Sequence, residues 1–210
     1  MKPYVELVFV LDRSGSMYSI REDAIGGFNR FLADHKAVPG DAKFTLVLFD
    51  HEYIKPFNRV ALGEITELTD ATYVPRGSTA LLDAVGQTID DLGNAYSHDN
   101  HKPEKVIFVI LTDGEENASH KYSREAVAQR IDHQTKKYGW EFVFLGANFD
   151  AFSYGGLLNI PIKNTHQYTA DAIGTRKAYA FASSSTVSMR APQPETTGGD
   201  EDSVNNLKVP

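Results

Sequence analysis

Four short segments constrain this chain most, because each is apolar almost throughout: Val5 to Leu11, Phe44 to Phe49, Val106 to Leu111 and Phe142 to Leu145. A strand with one wet face alternates apolar and polar side chains. A strand covered on both faces does not, and the central strands of a parallel sheet are of that kind. Helical patterns lie between these segments. Ile20, Ala24, Phe28, Phe31 and Leu32 recur at helical spacing, as do Leu82, Val85, Ile89 and Leu92, and Val127 and Ile131 follow Ser123 as a candidate N-cap. The alternation predicts an α/β fold: a doubly wound, Rossmann-like, mostly parallel sheet with helices on both faces.

Residues 52–75 break the rhythm. Tyr53 to Phe57, Val60 to Leu62 and Tyr73 to Val74 read as short edge strands joined by turns, which predicts an antiparallel edge on the sheet. After Leu145 the pattern predicts a loop from Gly146 to Gly156, a short strand near Ile160 to Ile162, and a last helix over roughly residues 172–189. One domain over residues 1–190 is expected. Residues 191–210 hold three Pro, two Gly and four acids, the composition of a disordered acidic tail.

Charge and composition remove several classes of function. Lys and Arg number 21 against 28 Asp and Glu, a net charge of −7, so the bulk charge does not favour nucleic acid or an anionic membrane. With no cysteine, disulfides, thiolate metal sites and Cys nucleophiles are excluded, and a reducing compartment fits. The apolar run at the N-terminus is short and broken by Glu6, unlike a signal peptide or a membrane span. The expectation is a soluble, cytoplasmic protein. The seven histidines are scattered, and His98 and His101 fall in a polar loop at the far end of the sheet from the strand ends considered next.

Sheets of this class bind ligands beyond the carboxyl ends of the strands, where the winding direction reverses. The first strand runs into Asp12-Arg13-Ser14-Gly15-Ser16 and the Val106 strand into Thr112-Asp113-Gly114. In the order 3-2-1-4-5-6 these two strands flank the switch point. Arg76-Gly77-Ser78-Thr79-Ala80 opens the Leu82 helix and should reach the same rim. The assembled set is Asp12, Ser14, Ser16, Thr79 and Asp113, all hard oxygen donors. Such donors suit Mg²⁺, with Mn²⁺ the close competitor, and argue against Zn²⁺.

Asp12-x-Ser14-x-Ser16, Thr79 in Gly-Ser-Thr-Ala-Leu and Asp113 in Leu-Thr-Asp-Gly together resemble the metal-ion-dependent adhesion site of von Willebrand factor type A (vWA) domains, over about residues 3–190. The resemblance implies that Ser14 and Ser16 bind the metal through their hydroxyls, Thr79 directly or through water, and Asp12 and Asp113 mostly through bridging water. It also implies a protein partner that donates an Asp or Glu as the remaining ligand. A stand-alone, intracellular module of this kind is expected, acting alone or as the accessory subunit of a larger complex.

The competing reading is a haloacid-dehalogenase-like phosphotransfer enzyme, whose nucleophilic Asp also follows the first strand. Such an enzyme requires a second Asp two residues on, where this chain has Ser14. A P-loop, GxGxxG, GxSxG and HExxH are also missing, so no catalysis is expected. Glu115, Glu116, Asn117, Asn148 and Asp150 are candidate rim contacts for a partner, with solvated loop or helix-cap roles as the simpler alternative. Asp50, on the next strand outward, reads as a turn or capping residue.

Overall fold

The structure, a computed structural model, describes residues 2–191. Six strands form one sheet: β1 (Val5–Asp12), β2 (Ala42–Phe49), β3 (Tyr53–Ala61), β4 (Lys105–Thr112), β5 (Glu141–Ala147) and β6 (Thr165–Tyr168), in the order β3-β2-β1-β4-β5-β6. All neighbours pair in parallel except β2 and β3. The α-helices among the described residues are α1 (Arg21–Lys36), α2 (Leu81–His98), α3 (Arg124–Tyr138), α4 (Ala151–Leu157) and α5 (Ala172–Arg190). This is the mostly parallel, doubly wound sheet with one antiparallel edge that the apolar runs predict.

β1 shows why its sequence does not alternate. Leu7, Phe9 and Leu11 pack into the core under α1 and α5, while Val8 and Val10 pack into the second core under α2 and α3. Both faces are dry, so both sets of side chains must be apolar. The helix ends follow local chemistry. The Ser123 hydroxyl accepts from Ala126 N–H at the start of α3, as expected of an N-cap, and Gly139 closes that helix in the left-handed region at φ 66°.

Several local expectations are corrected. Tyr53 to Leu62 is not two pieces but the single strand β3, which ends at Ala61. Its register slips twice against β2 and Arg59 takes φ 55°, which separates the two apolar clusters seen in the sequence. Tyr73 and Val74 are not in a strand but in the loop before α2. Residues 146–156 include helix α4, started by the Asp150 carboxylate accepting from Ser153 N–H. The short last strand lies at Thr165–Tyr168 rather than Ile160 to Ile162, because Ile162–Asn164 turns as a 3-10 helix. The tail expected over residues 191–210 lies, apart from Ala191, outside the described residues.

Candidate metal centre

β1 and β4 are neighbours, paired as far as Leu11 and Leu111, and their next residues leave the ladder together. The five oxygen-bearing residues meet there. Asp12 Oδ1 accepts from Ser14 N–H at 2.6 Å, and Asp12 Oδ2 accepts from the Thr112 hydroxyl at 2.6 Å. The Ser14 and Ser16 hydroxyl oxygens are 3.1 Å apart, and the Ser16 hydroxyl donates to Asp113 Oδ1 at 2.6 Å. Ser14, through its backbone N–H and its hydroxyl, and Ser16 therefore link Asp12 to Asp113.

Thr79 reaches the same place from the start of α2. A β-carbon built on Gly114 would lie 3.8 Å from Ser16 Oγ and 3.9 Å from Thr79 Oγ1, so both hydroxyls face the backbone beside Asp113. The loops are tied to one another: Gly15 N–H donates to Gly77 C=O, Arg76 N–H to Arg13 C=O, and Thr79 N–H to Asn117 Oδ1. Asp12, Ser14, Thr79 and Asp113 are buried while Ser16 is exposed, so the cluster opens to solvent on the Ser16 side.

Burial pushes the Asp12 carboxyl up to about 7, against hydrogen bonds from Thr112 and Ser14 that favour its charge, and the nearby Asp113 adds to the rise. Burial likewise raises Asp113, opposed by the Ser16 hydroxyl. The donors that reach the two acids are neutral hydroxyls and a backbone N–H. A small cation among these oxygens would satisfy what those neutral donors do not, so the donor set fits a hard divalent metal.

Arg13, between the two motif positions, turns away. Its guanidinium lies 3.1 Å from Asp50 Oδ2, and Arg76 Nε donates to the same oxygen at 3.1 Å. Asp50 also accepts from Glu52 N–H, which gives it the turn role read from sequence.

Four of the five rim candidates have intramolecular roles. Glu116 accepts from Leu82, Ala118 and Ser119 N–H groups, Asn117 holds Thr79, Asn148 Nδ2 donates to Asp113 C=O at 2.8 Å, and Asp150 caps α4. Glu115 is left exposed. Sequence reasoning gave no role to Thr112, although Leu-Thr-Asp-Gly contains it. It also missed Tyr73 and Tyr168, whose hydroxyls donate to the carbonyls of Asp12 and Thr112.

No protein-family model and no curated protein matches the chain. Among solved structures it is similar to proximal thread matrix protein 1 from the mussel byssus, in a form with a zinc-occupied MIDAS motif, at 17% identity and TM-score 0.58, covering 89% of this chain and 46% of that one. It is similar to the pilus adhesin SpaC from Lactobacillus rhamnosus GG at 15% identity and TM-score 0.65, covering 89% and 30%. It is also similar to a von Willebrand factor type A protein from Catenulispora acidiphila at 14% identity and TM-score 0.55, covering 89% and 43%. The chain thus has the vWA fold, and it spans less than half the length of these three structures.

Proposed function

We propose that this protein is a Mg²⁺-dependent protein-interaction module in which Asp12, Ser14, Ser16, Thr79 and Asp113 hold the metal and a partner protein donates an Asp or Glu carboxylate to it. The single observation that carries this reading is the set of hydrogen bonds by which Ser14 and Ser16 link Asp12 to Asp113, which gathers two strand ends around shared oxygens. The similar vWA-fold structures, one an adhesin and one with a metal-occupied motif, support a protein partner and a divalent metal.

The residues define what such a site does. Ser14, Ser16 and Thr79 offer neutral oxygens, so a bound dication keeps much of its charge and attracts an external anion. Asp12 and Asp113 are fixed by Thr112, Ser14 and Ser16 and hold their carboxylates beside the hydroxyls. Zinc occupies the motif of the mussel protein, so the preference for Mg²⁺, with Mn²⁺ next, rests on the oxygen-only donors here. Tyr18, on the 3-10 helix that carries Ser16, and Val74, in the loop that carries Tyr73, supply exposed apolar surface and suit a partner whose acid is flanked by apolar residues.

The module is non-catalytic in this reading: two residues beyond Asp12, where a phosphotransfer enzyme needs a second acid, Ser14 contacts Ser16 instead. No helix among the described residues is long and apolar enough to cross a membrane, and the chain without cysteine suits the cytoplasm. There the module acts by itself or as an accessory subunit of a larger complex. Affinity capture of partners in Mg²⁺, in chelator and with Ser14→Ala tests the function. Capture only in the first condition supports it, and retention in all three rejects it.

A further inference from the structure

Asp12 and Thr112 are the last residues of two adjacent strands, one step beyond the end of the β1–β4 ladder at Leu11 and Leu111. The carbonyl of each is met by a buried tyrosine from elsewhere in the fold. Tyr73, fully buried in the loop before α2, donates its hydroxyl to Asp12 C=O at 2.6 Å. Tyr168, at the end of β6, donates to Thr112 C=O at 3.2 Å.

The Asp12–Arg13 peptide is held on both sides, since Arg13 N–H donates to Phe49 C=O at 2.7 Å. The direction in which the chain leaves β1 toward Ser14 and Ser16 is therefore set by Tyr73 and Phe49 together. Asp113 is flanked by two anchored carbonyls, the one before it held by Tyr168 and its own by Asn148. Backbone anchored at these carbonyls resists rotation, which favours a fixed placement of the Asp12 and Asp113 side chains that follow from it.

Resting on the metal reading above, we infer that Tyr73 and Tyr168 are positioning residues that hold the metal cradle at its binding geometry through the Asp12 and Thr112 carbonyls. A third buried tyrosine supplies the internal control. Tyr179 on α5 stacks on Phe9, and its hydroxyl has no hydrogen-bond partner among the described residues. Removing that hydroxyl takes no bond from the cradle.

The test is Mg²⁺ calorimetry on the full chain, with thermal melts in chelator, for wild type, Tyr73→Phe, Tyr168→Phe, Tyr179→Phe and Asp12→Ala. The phenylalanine variants keep the rings. Tyr73→Phe and Tyr168→Phe should each weaken Mg²⁺ affinity by about 3- to 10-fold, the scale of one hydrogen bond, while Tyr179→Phe binds as wild type. A merely structural role would lower the melting temperature in chelator and leave the affinity in place. Wild-type affinity in both test variants, with binding abolished in Asp12→Ala, overturns the inference and leaves the metal reading standing. Equal weakening in all three tyrosine variants also overturns it. Absence of Mg²⁺ binding by wild type removes both. If Tyr73→Phe does not fold, Tyr168→Phe decides alone.

Discussion

The Ser16 hydroxyl donates to Asp113 Oδ1 at 2.6 Å across 97 positions of sequence. That contact joins the ends of two central strands and brings the Asp12-x-Ser14-x-Ser16 segment and Asp113 together.

Metal should stabilise the fold. A ligand bound only by the native state at 100 times its Kd contributes about 2.7 kcal/mol, which for a chain of this size raises Tm by roughly 5–10 °C. Melts in saturating Mg²⁺ and in chelator should differ by that amount in wild type and coincide in Asp113→Ala. Coincident wild-type curves would show that no ion is held.

Glu6 should make the protein less stable at high pH. It is completely buried on β1, with Oε1 accepting from Thr45 at 2.8 Å and Oε2 3.9 Å from Arg59 Nε. Burial raises its carboxyl to about 7 from 4.5, against the lowering effect of Thr45 and Arg59. A raised folded pKa means that stability is fully present below about 4.5 and is lost as pH rises through 7, by on the order of 3 kcal/mol. Urea unfolding at pH 4.5 and 8 should show Glu6→Gln gaining on wild type at the higher pH. A constant difference between the two proteins would contradict this assignment.

His35 should act in the opposite direction. The Thr186 hydroxyl donates to Ala182 C=O and therefore accepts from His35 Nε2, which leaves Nδ1 to accept from Arg190. The ring is thus neutral, and burial followed by the Arg190 charge lowers it to about 3. The unfolded chain takes up a proton first as pH falls below about 6.5. Stability should then drop by up to about 1.4 kcal/mol per pH unit, and His35→Gln should flatten that limb of the profile. Identical acid limbs in the two proteins would refute the neutral-histidine assignment.

The α1–α5 seam should reject a single methyl group. A β-carbon on Gly27 would fall 2.2 Å from Tyr179 Cδ2, inside the ring that stacks on Phe9. Gly27→Ala should lower unfolding free energy by about 1–3 kcal/mol through overpacking, more than its gain in helix propensity. Gly26→Ala, with open space at the same test position, should be neutral or slightly stabilising in the same denaturation series.

Much of the architecture was legible in the sequence. Continuous apolar runs report burial on two faces, and the helical patterns between them point to a sheet covered by helices. Strand order followed from the rules for winding such a sheet. The same reasoning puts Asp12 and Asp113 side by side, since one ends a central strand and the other directly follows its neighbour. Short edge elements were less legible. Tyr73–Val74 and Ile160 to Ile162 carry the apolar, β-branched or aromatic composition of strands, yet neither has a partner in the sheet, and a two- or three-residue segment has no periodicity to tell a strand from a buried loop.

The sequence alone determined which oxygen-bearing residues stand at the strand ends, because that depends on chain position. Only the folded molecule decided what surrounds them. The Tyr73 hydroxyl on Asp12, Tyr168 on Thr112, Asn117 on Thr79 and Asn148 on Asp113 each join elements with no local pattern in common. Such contacts arise when distant segments are packed against one sheet edge and their polar groups must find partners out of water, a condition that the whole packed core imposes and no short stretch of sequence encodes.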